Sequence, residues 1–224
     1  MSTVLIVGAS RGLGLEFARQ YRAAGAHVIA TVRRETDAQD LDALGARPLL
    51  LDLDAPASIE AFTHRLATER IDLALLNAGV YGPRCAGLTA PTPEHFDHVM
   101  HTNVRAPMLL IPALAPLLAR SRGKLAMLSS RLGSMALAQN PAGWLYRASK
   151  AAANSVLKSA SLALAEEGVI CLALHPGWVR TDMGGAGADI DVATSVSGLR
   201  AVIERAGPEA NGHFFDYRGE ELPW

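Results

Sequence analysis

Short runs rich in valine, leucine and isoleucine recur along the chain, and longer stretches with helical spacing of apolar residues separate them. Continuous apolar runs are typical of strands that are buried on both faces, as in a parallel sheet. We predict seven strands, near residues 3–7, 27–32, 47–51, 72–76, 123–128, 169–174 and 212–215. We predict six helices, near residues 12–24, 36–44, 56–69, 93–120, 144–167 and 191–206. This alternation predicts an α/β fold with a doubly wound parallel sheet and helices on both of its faces.

Proline and glycine positions support these helix limits. Prolines suit the first turn of two helices, and glycines suit the positions after three others: Pro56, Pro93, Gly25, Gly168 and Gly207. No repeat, low-complexity tract or linker interrupts the pattern, so we expect a single domain over residues 1–224. Small residues dominate 184–189, which favours a mobile flap there.

Composition and charge narrow the class of partner. Half of the 224 residues are apolar, which allows a large core, and 21 Lys and Arg nearly balance 22 Asp and Glu. A net charge of −1 gives no strong field to gather nucleic acid or an acidic membrane. We therefore expect a small neutral substrate, with no nucleic-acid or membrane partner.

The cysteines and the N-terminus indicate a compartment. Only two cysteines, Cys85 and Cys171, occur in the chain, which is no disulfide framework. The N-terminal apolar run at 4–7 is too short for a signal peptide, and no later segment reaches membrane length without charge or proline. The simplest interpretation is a cytoplasmic protein.

A glycine-rich turn follows the first strand. The run Gly8-Ala9-Ser10-Arg11-Gly12-Leu13-Gly14 leads directly into the first predicted helix. Glycines there allow a tight turn and a close approach of phosphate, and the helix N-terminus offers free N–H groups. Such runs also occur for packing alone, so its place after the first strand of a βαβ unit is what favours a dinucleotide site.

The end of the second strand indicates which dinucleotide. NAD-binding domains usually place a carboxylate there for the ribose hydroxyls, whereas this chain has Arg33 and Arg34. Guanidinium groups pair well with a 2′-phosphate, and Arg11 in the glycine turn could reach the same group. We therefore favour NADP(H), with NAD(H) as the alternative. The competing interpretation is that these arginines are solvated loop charges.

Two polar residues follow the third and fourth strands. Asp52, next to Leu53, could bond an adenine amino group, and Asn77 could brace the neighbouring strand at the ligand-binding edge of the sheet. Both are equally good turn residues, so the residues alone favour a structural role.

The strongest chemical pattern is Tyr146 with Lys150, four residues apart in a predicted helix. Such residues share a helix face, so both head groups can meet around one ligand. A free tyrosine titrates near ~10, and a nearby ammonium would lower its pKa toward neutrality. Ser130, where the preceding strand ends, could polarise a substrate carbonyl. Alone, each of these patterns is also common in structural roles.

Asn103 precedes Pro107 by four positions in a predicted helix. Because proline lacks an N–H, the Asn103 carbonyl loses its helical partner and the helix should kink. A water could then link that carbonyl to Lys150 as a proton route; the alternative is an ordinary proline kink. His95, His98 and His101 recur every third residue without a further ligand pattern, so we assign no metal.

Taken in order, these residues resemble the short-chain dehydrogenase/reductase family over nearly the whole chain. The matching segments are Gly8 to Gly14, Asp52, Asn77-Ala78-Gly79, Asn103, Ser130, Tyr146 with Lys150, and Pro176-Gly177 followed by Thr181. The resemblance implies a seven-stranded Rossmann-type fold and a catalytic set of Asn103, Ser130, Tyr146 and Lys150. The implied cofactor contacts also include Leu53, Ala78, Gly79, Pro176, Gly177, Val179 and Thr181.

Segments 129–134 and 177–185 resemble the carbonyl-reductase-like branch that includes the sniffer and C-factor proteins. That branch implies NADPH, in agreement with the arginines, and family members often dimerise through the helices at 93–120 and 144–167. Two departures affect the substrate region: Leu76 stands where many members have a second asparagine, and the segment after Thr181 is short.

The leading hypothesis is a reductase in which Tyr146 protonates a substrate carbonyl. The alternative is a dinucleotide-binding signalling protein of C-factor type, favoured by the intact glycine turn and the short lid. A sugar epimerase or dehydratase with the same Tyr and Lys fits less well, since the chain lacks the length for a separate substrate domain.

Overall fold

The computed structural model describes residues 1–84 and 87–224. Its sheet contains seven strands: β1 (Thr3–Val7), β2 (His27–Val32), β3 (Arg47–Leu50), β4 (Leu73–Leu76), β5 (Lys124–Leu128), β6 (Ile170–His175) and β7 (His213–Asp216). They lie in the order β3-β2-β1-β4-β5-β6-β7, and every neighbouring pair is parallel. The predicted doubly wound sheet is confirmed.

The helices that join the strands cover both faces of the sheet. They are α1 (Gly12–Ala23), α2 (Gln39–Ala43), α3 (Pro56–Leu66), α4 (Pro93–Met100), α5 (Ala106–Ala119), α6 (Trp144–Ala163) and α7 (Val192–Arg205). Three-residue 3₁₀ turns lie at Glu35–Asp37, Arg131–Gly133 and Pro208–Ala210. A π-helical segment, His101–Arg105, joins α4 to α5.

Alternation within each strand divides the apolar residues between two cores. Leu5 and Val7 pack with Phe62 in the core beneath α3, α5 and α6. Val4 and Ile6 pack with Phe17 in the core beneath α1, α2 and α7. Because both faces are covered, the central strands are apolar at nearly every position, and they therefore appear in the sequence as continuous apolar runs.

Some helices are shorter than predicted. The segment 36–44, expected as one helix, is a 3₁₀ turn followed by α2, of which only Leu41 is buried. With a single apolar anchor, a longer helix gains little from packing. Helix α6 ends at Ala163, before Glu166 and Glu167. Carboxylates are unfavourable at the negative end of a helix dipole, which accounts for the early end.

The helix Pro93–Ala119 is long and apolar enough, by length and composition, to cross a membrane. Core helices of other proteins pass the same test, and 44% of the most apolar window of this helix is buried. Its α5 part packs against α3, α6 and β4 and contains Pro112 and Pro116. In this structure the segment is a helix of the domain core.

The strand order reverses between β1 and β4, because the chain leaves β3 at one edge and returns to the centre at β4. Open α/β sheets bind ligands in the crevice outside the carboxyl ends of such strands. The turn after β1 and the segments after β4 and β5 carry the candidate residues to this crevice.

Candidate active site

The glycine turn after β1 is tightly packed against the end of β4. Gly8 has φ +86°, and a Cβ on Gly8 would lie 2.9 Å from Ala78. A Cβ on Gly14 would overlap the Gly8 carbonyl. The side-chain amide of Asn77 donates to that same carbonyl at 2.5 Å, so the predicted bracing by Asn77 is confirmed. Ser10 and Gly12 lie between these fixed points, and Leu13 packs against the core.

The turn ends at the start of α1, whose N-cap residue is Arg11 in an extended conformation. Within the described part of the chain, no side chain caps this helix. Its first-turn N–H groups therefore lack the oxygen acceptor that a cap would supply. An anion such as a pyrophosphate fits the same donors, and it would also meet the positive end of the helix dipole.

The arginines proposed for a 2′-phosphate lie near acidic side chains. Arg34 forms two hydrogen bonds to Asp37, at 2.9 and 3.1 Å, and Arg11 bonds Asp182 at 2.6 Å. The pKa of Asp37 is lowered, chiefly by its hydrogen bond to Arg34, with smaller contributions from Arg33 and Arg11. Two of the arginines are therefore paired with carboxylates, Arg34 with Asp37 and Arg11 with Asp182, and neither partner was predicted from the sequence.

Asp52 follows β3 and forms a turn. One of its carboxylate oxygens accepts from the Asp54 amide at 3.0 Å, and its own amide donates to Ser58 at 2.9 Å. Leu53 packs against the core. These contacts give Asp52 the structural role that the residues alone favoured, and its contact with an adenine stays a prediction.

Three proposed catalytic side chains meet at the carboxyl edge of the sheet. Ser130, just after β5, is hydrogen-bonded to Tyr146 on α6. The Lys150 ammonium lies 5.7 Å from the centre of the Tyr146 ring, one helical turn away. Both Tyr146 and Lys150 are buried, at 7% and 5% exposure. The spacing of four residues therefore brings the two head groups together as predicted.

The electrostatics of this group differ from our expectation. We expected Lys150 to lower the pKa of Tyr146, but burial raises it to about 12, and the hydrogen bond from Ser130 only partly offsets that effect. Burial also lowers the pKa of Lys150 to about 8. In each case removal of water disfavours the charged form, and no full counter-charge compensates. The Tyr146 phenol is therefore held in its protonated form at neutral pH.

Lys150 is fixed by backbone. Its ammonium donates to the Leu128 carbonyl at 2.8 Å, at the end of β5. A Cβ on Gly79 would lie 3.3 Å from the Lys150 nitrogen, and a Cβ on Gly133 would lie 2.9 Å from the Lys150 Cβ. Glycine at both positions leaves room for this side chain, a role that the sequence did not reveal for Gly133.

Asn103 acts through its side chain. It lies in the π-helical segment His101–Arg105, so an irregular helix forms where Pro107 predicted one. Its amide group bonds both backbone groups of Val80, at 2.8 and 2.9 Å, and donates to Ser149 at 2.9 Å. Asn103 thus pins the segment after β4 to α6. The predicted water link from its carbonyl to Lys150 stays a prediction.

The loop 178–190 after β6 is folded on itself. Residues 179 and 190 form a parallel bridge, and Trp178 donates to the Gly184 carbonyl at 2.9 Å. The flap expected at 184–189 therefore lies within a closed loop. Thr181 accepts from the Gly184 amide and lies 3.7 Å from the point where a Cβ on Gly12 would be. This contact places the loop against the glycine turn.

The segment that leads into this loop is also fixed. Gly177 has φ +83°, and a Cβ there would lie 2.8 Å from Ile190. The Pro176 carbonyl accepts from Ser195 at 2.6 Å, and Val179 is buried. Burial lowers the pKa of His175 to about 4, so this imidazole is neutral at neutral pH.

Sequence reasoning missed Tyr81. Its ring stacks on that of Tyr146 with centroids 4.6 Å apart and an angle of 25°. The only available signal was an aromatic residue two positions after Asn77-Ala78-Gly79, at the ligand-binding edge of the sheet.

Metal and thiol chemistry receive no support from the described residues. Within residues 1–84 and 87–224, no group of three or more His, Cys, Asp or Glu could hold a metal ion. Cys171 is buried and free, and burial raises its pKa to about 12. Cys85 lies outside the described residues.

Known proteins are similar to this chain in sequence and in fold. A family model described as short chain dehydrogenase matches residues 2–189. The C-signal protein of Myxococcus xanthus is 38% identical over 74% of this chain and 100% of its own. A carbonyl reductase from Pseudomonas aeruginosa PAO1, solved in complex with NADP, is 38% identical with a TM-score of 0.87. Carbonyl reductase Sniffer of D. melanogaster is 30% identical with a TM-score of 0.92. Both of these comparisons cover 100% of this chain and 100% of the other. The chain belongs to the short-chain dehydrogenase/reductase family.

Proposed function

We propose that this protein is an NADP(H)-dependent oxidoreductase that interconverts a carbonyl compound and its alcohol. The observation that carries the proposal is the buried group of Ser130, Tyr146 and Lys150 beside an uncapped helix N-terminus. The carbonyl reductase from P. aeruginosa, solved with NADP, supports both the cofactor and the reaction class.

The residues present fit such a cofactor. The glycine turn and the first-turn amides of α1 would hold the pyrophosphate, and Arg11, Arg33 and Arg34 would hold the 2′-phosphate in place of Asp37. Bound NADPH supplies the hydride. Asp52 with Leu53, Ala78 with Gly79, and the segment Pro176 to Thr181 would line the rest of the cofactor site.

In this proposal Tyr146 donates a proton to the substrate oxygen, and Ser130 shares the charge that develops there. A pKa of about 12 keeps the Tyr146 phenol protonated at neutral pH, which suits a proton donor in the direction of reduction. The Lys150 ammonium stabilises the phenolate that remains, and Asn103 holds the segment after β4 against α6. Alcohol oxidation is the same path reversed.

Tyr146→Phe tests the reaction. We expect NADPH-dependent reduction of quinones, diketones and aldehydes to fall by roughly 10²- to 10⁴-fold, the range for removal of a general acid. NADPH binding, measured by fluorescence titration, should stay within about two-fold of the parental value. Reduction at the parental rate by the purified variant would show that Tyr146 is not the proton donor.

Arg33→Asp tests the cofactor. Loss of a charge-assisted bond to phosphate should raise the Kd for NADPH by about 10- to 100-fold and leave the Kd for NADH nearly unchanged. Arg65→Asp, at an exposed arginine on α3, is the control for net charge. Equal losses for NADPH and NADH would remove the argument from the 2′-phosphate.

A second candidate is a dinucleotide-binding signalling protein, which the likeness to the C-signal protein favours. NADPH binding without turnover of any carbonyl in the same screen would support this candidate over the reductase.

On the cysteine usage we also expect the protein to work in the cytoplasm.

A further inference from the structure

We propose that Tyr81 is a positioning residue for Tyr146: its ring fixes the catalytic phenol and keeps water from it, and Arg84 ties this stack to the loop 178–190. The inference rests on the proposed function, because it takes Tyr146 to be the proton donor. It assigns a role to two residues that the sequence did not single out.

The aromatic rings of Tyr81 and Tyr146 form a stacked pair. The rings of Tyr81 and Tyr146 lie 4.6 Å apart and nearly parallel, so Tyr81 covers one face of the Tyr146 ring. The Tyr146 hydroxyl is hydrogen-bonded to Ser130. A phenol held by a stacked ring and by a hydrogen bond has little freedom to rotate. A substrate must then approach Tyr146 by the side that Tyr81 leaves open.

Glycines in two turns allow the position of Tyr81. A Cβ on Gly143, which has φ +67°, would collide with the Tyr81 hydroxyl oxygen. A Cβ on Gly82, with φ +77°, would collide with Val99 on α4. Glycine at these two turns lets the Tyr81 segment sit directly against α4 and the start of α6. Asn103 fixes the preceding residue, Val80, through both of its backbone groups.

Arg84 links Tyr81 to the loop 178–190. The Arg84 guanidinium lies 5.0 Å from the centre of the Tyr81 ring, on which it makes a cation–π contact. It also donates to the Met183 carbonyl at 2.6 Å. One neighbour of Met183, Asp182, pairs with Arg11 in the glycine turn. The contacts therefore run without a break from the proton donor to the loop beside the proposed cofactor site.

The electrostatics agree with a shielding role. Burial is the main cause of the high pKa of Tyr146, and Tyr81 contributes in the same direction. The Lys150 ammonium, from the same helix, lies 5.7 Å from the centre of the Tyr146 ring. Removal of the Tyr81 ring would expose Tyr146 to water and lower its pKa, because solvation favours the phenolate.

Tyr81→Leu and Tyr81→Phe form the test, since Phe keeps the ring and Leu removes it. For carbonyl reduction with NADPH, we expect Tyr81→Leu to lower kcat by about ten-fold while the Kd for NADPH stays within about two-fold of the parental value, because a positioning residue acts on the chemical step and not on cofactor binding. Tyr81→Phe should keep both kcat and the Kd for NADPH within about two-fold. If Tyr81→Leu does not fold, Tyr81→Met replaces it, since it keeps most of the volume without a ring.

Arg84→Met tests the link to the loop. Loss of the bond to the Met183 carbonyl should raise the Kd for NADPH by several-fold and leave kcat within about two-fold, and Arg84→Lys should recover part of the affinity. Parental kcat in Tyr81→Leu, with Tyr146→Phe inactive, would overturn the positioning role and leave the proposed function intact. Activity in Tyr146→Phe would instead remove the proposed function.

Discussion

Lys150 is an ammonium buried at 5% exposure, and among residues 1–84 and 87–224 its only hydrogen bond runs to the Leu128 carbonyl. A carbonyl dipole replaces only part of the hydration that the charge loses, so the pKa falls from 10.5 to about 8. In a folded protein near neutrality this lysine carries its charge at a cost. The site thus gives up stability to keep a positive charge beside Tyr146, as active sites often do.

This cost predicts a dependence of stability on pH. Below about pH 8 the folded and unfolded chains both hold the proton of Lys150, and the folded state carries the full penalty. Between pH 8 and 10.5 the folded state has released this proton while the unfolded state still holds it, so stability rises with pH, by up to about 1.4 kcal/mol per unit. In Lys150→Met this contribution is absent.

Thermal unfolding of both proteins from pH 7 to 10 measures the difference. The Tm of the parental protein should rise relative to that of Lys150→Met by roughly 2 to 5 °C per pH unit above pH 8. Lys158→Met, at an exposed lysine on the same helix, should follow the parental slope. A constant Tm difference across this range would mean that Lys150 is not desolvated as the structure indicates.

Individual site residues could be predicted where chemistry follows from spacing along one element. Tyr146 and Lys150 were paired by a separation of four in a helix. Tyr81 could not be found this way, because its contact with Tyr146 depends on turns at Gly82 and Gly143 in different segments. The direction of the Tyr146 pKa shift was also predicted wrongly, since its main cause is burial, which is a property of the fold.

The elements differ in how well the sequence locates them. Strands such as β1 and β2 lie where predicted, because a strand buried on both faces is mostly apolar and polar residues flank it. Helix ends were less accurate: α3 ends at Leu66 and α6 at Ala163, each a few residues early. Helix ends depend on local charge and on what lies beneath the last turn, which periodicity does not record.

In the helix from Pro93 to Ala119, the sequence predicted where an irregularity occurs but not what form it takes. Pro107 predicted an irregularity near Asn103, and one occurs there. Its form, a π-helical segment, adds a residue to the turn and directs the Asn103 side chain toward Val80 and Ser149. The sequence predicted a freed carbonyl as the functional group, whereas the structure gives the contacts to the side-chain amide.

At the scale of the whole molecule, the chemistry lies where the two halves of the sheet meet. Residues from the turn after β1 and the segments after β4, β5 and β6 converge on one crevice, although they are far apart in the chain. The sequence predicted this convergence through the rule that parallel strands end on the same edge. The order of the strands in the sheet followed only from the structure.

The outer surface of the helical layer bears on the oligomeric state. On α5, Met108 and Leu109 are 57% and 37% exposed, and on α6, Leu162 is 71% exposed. The outer face of α6 otherwise carries small residues such as Ser155 and Ser159, which allow a second helix to approach closely. The family resemblance implies pairing through these two helices, so we propose a homodimer about this face.

Met108→Asp tests the homodimer, because a carboxylate at the centre of an apolar interface would be buried without a partner. Light scattering after size-exclusion chromatography should give about twice 23.7 kDa for the parental protein and 23.7 kDa for the variant. Met135→Asp, at a methionine 76% exposed on another segment, should keep the parental mass. Tyr146 is buried on the inner side of α6, away from the exposed face at which the two copies would pair. The monomeric variant should therefore retain NADPH binding. A parental protein that stays monomeric at high micromolar concentration would show that these apolar side chains serve another purpose.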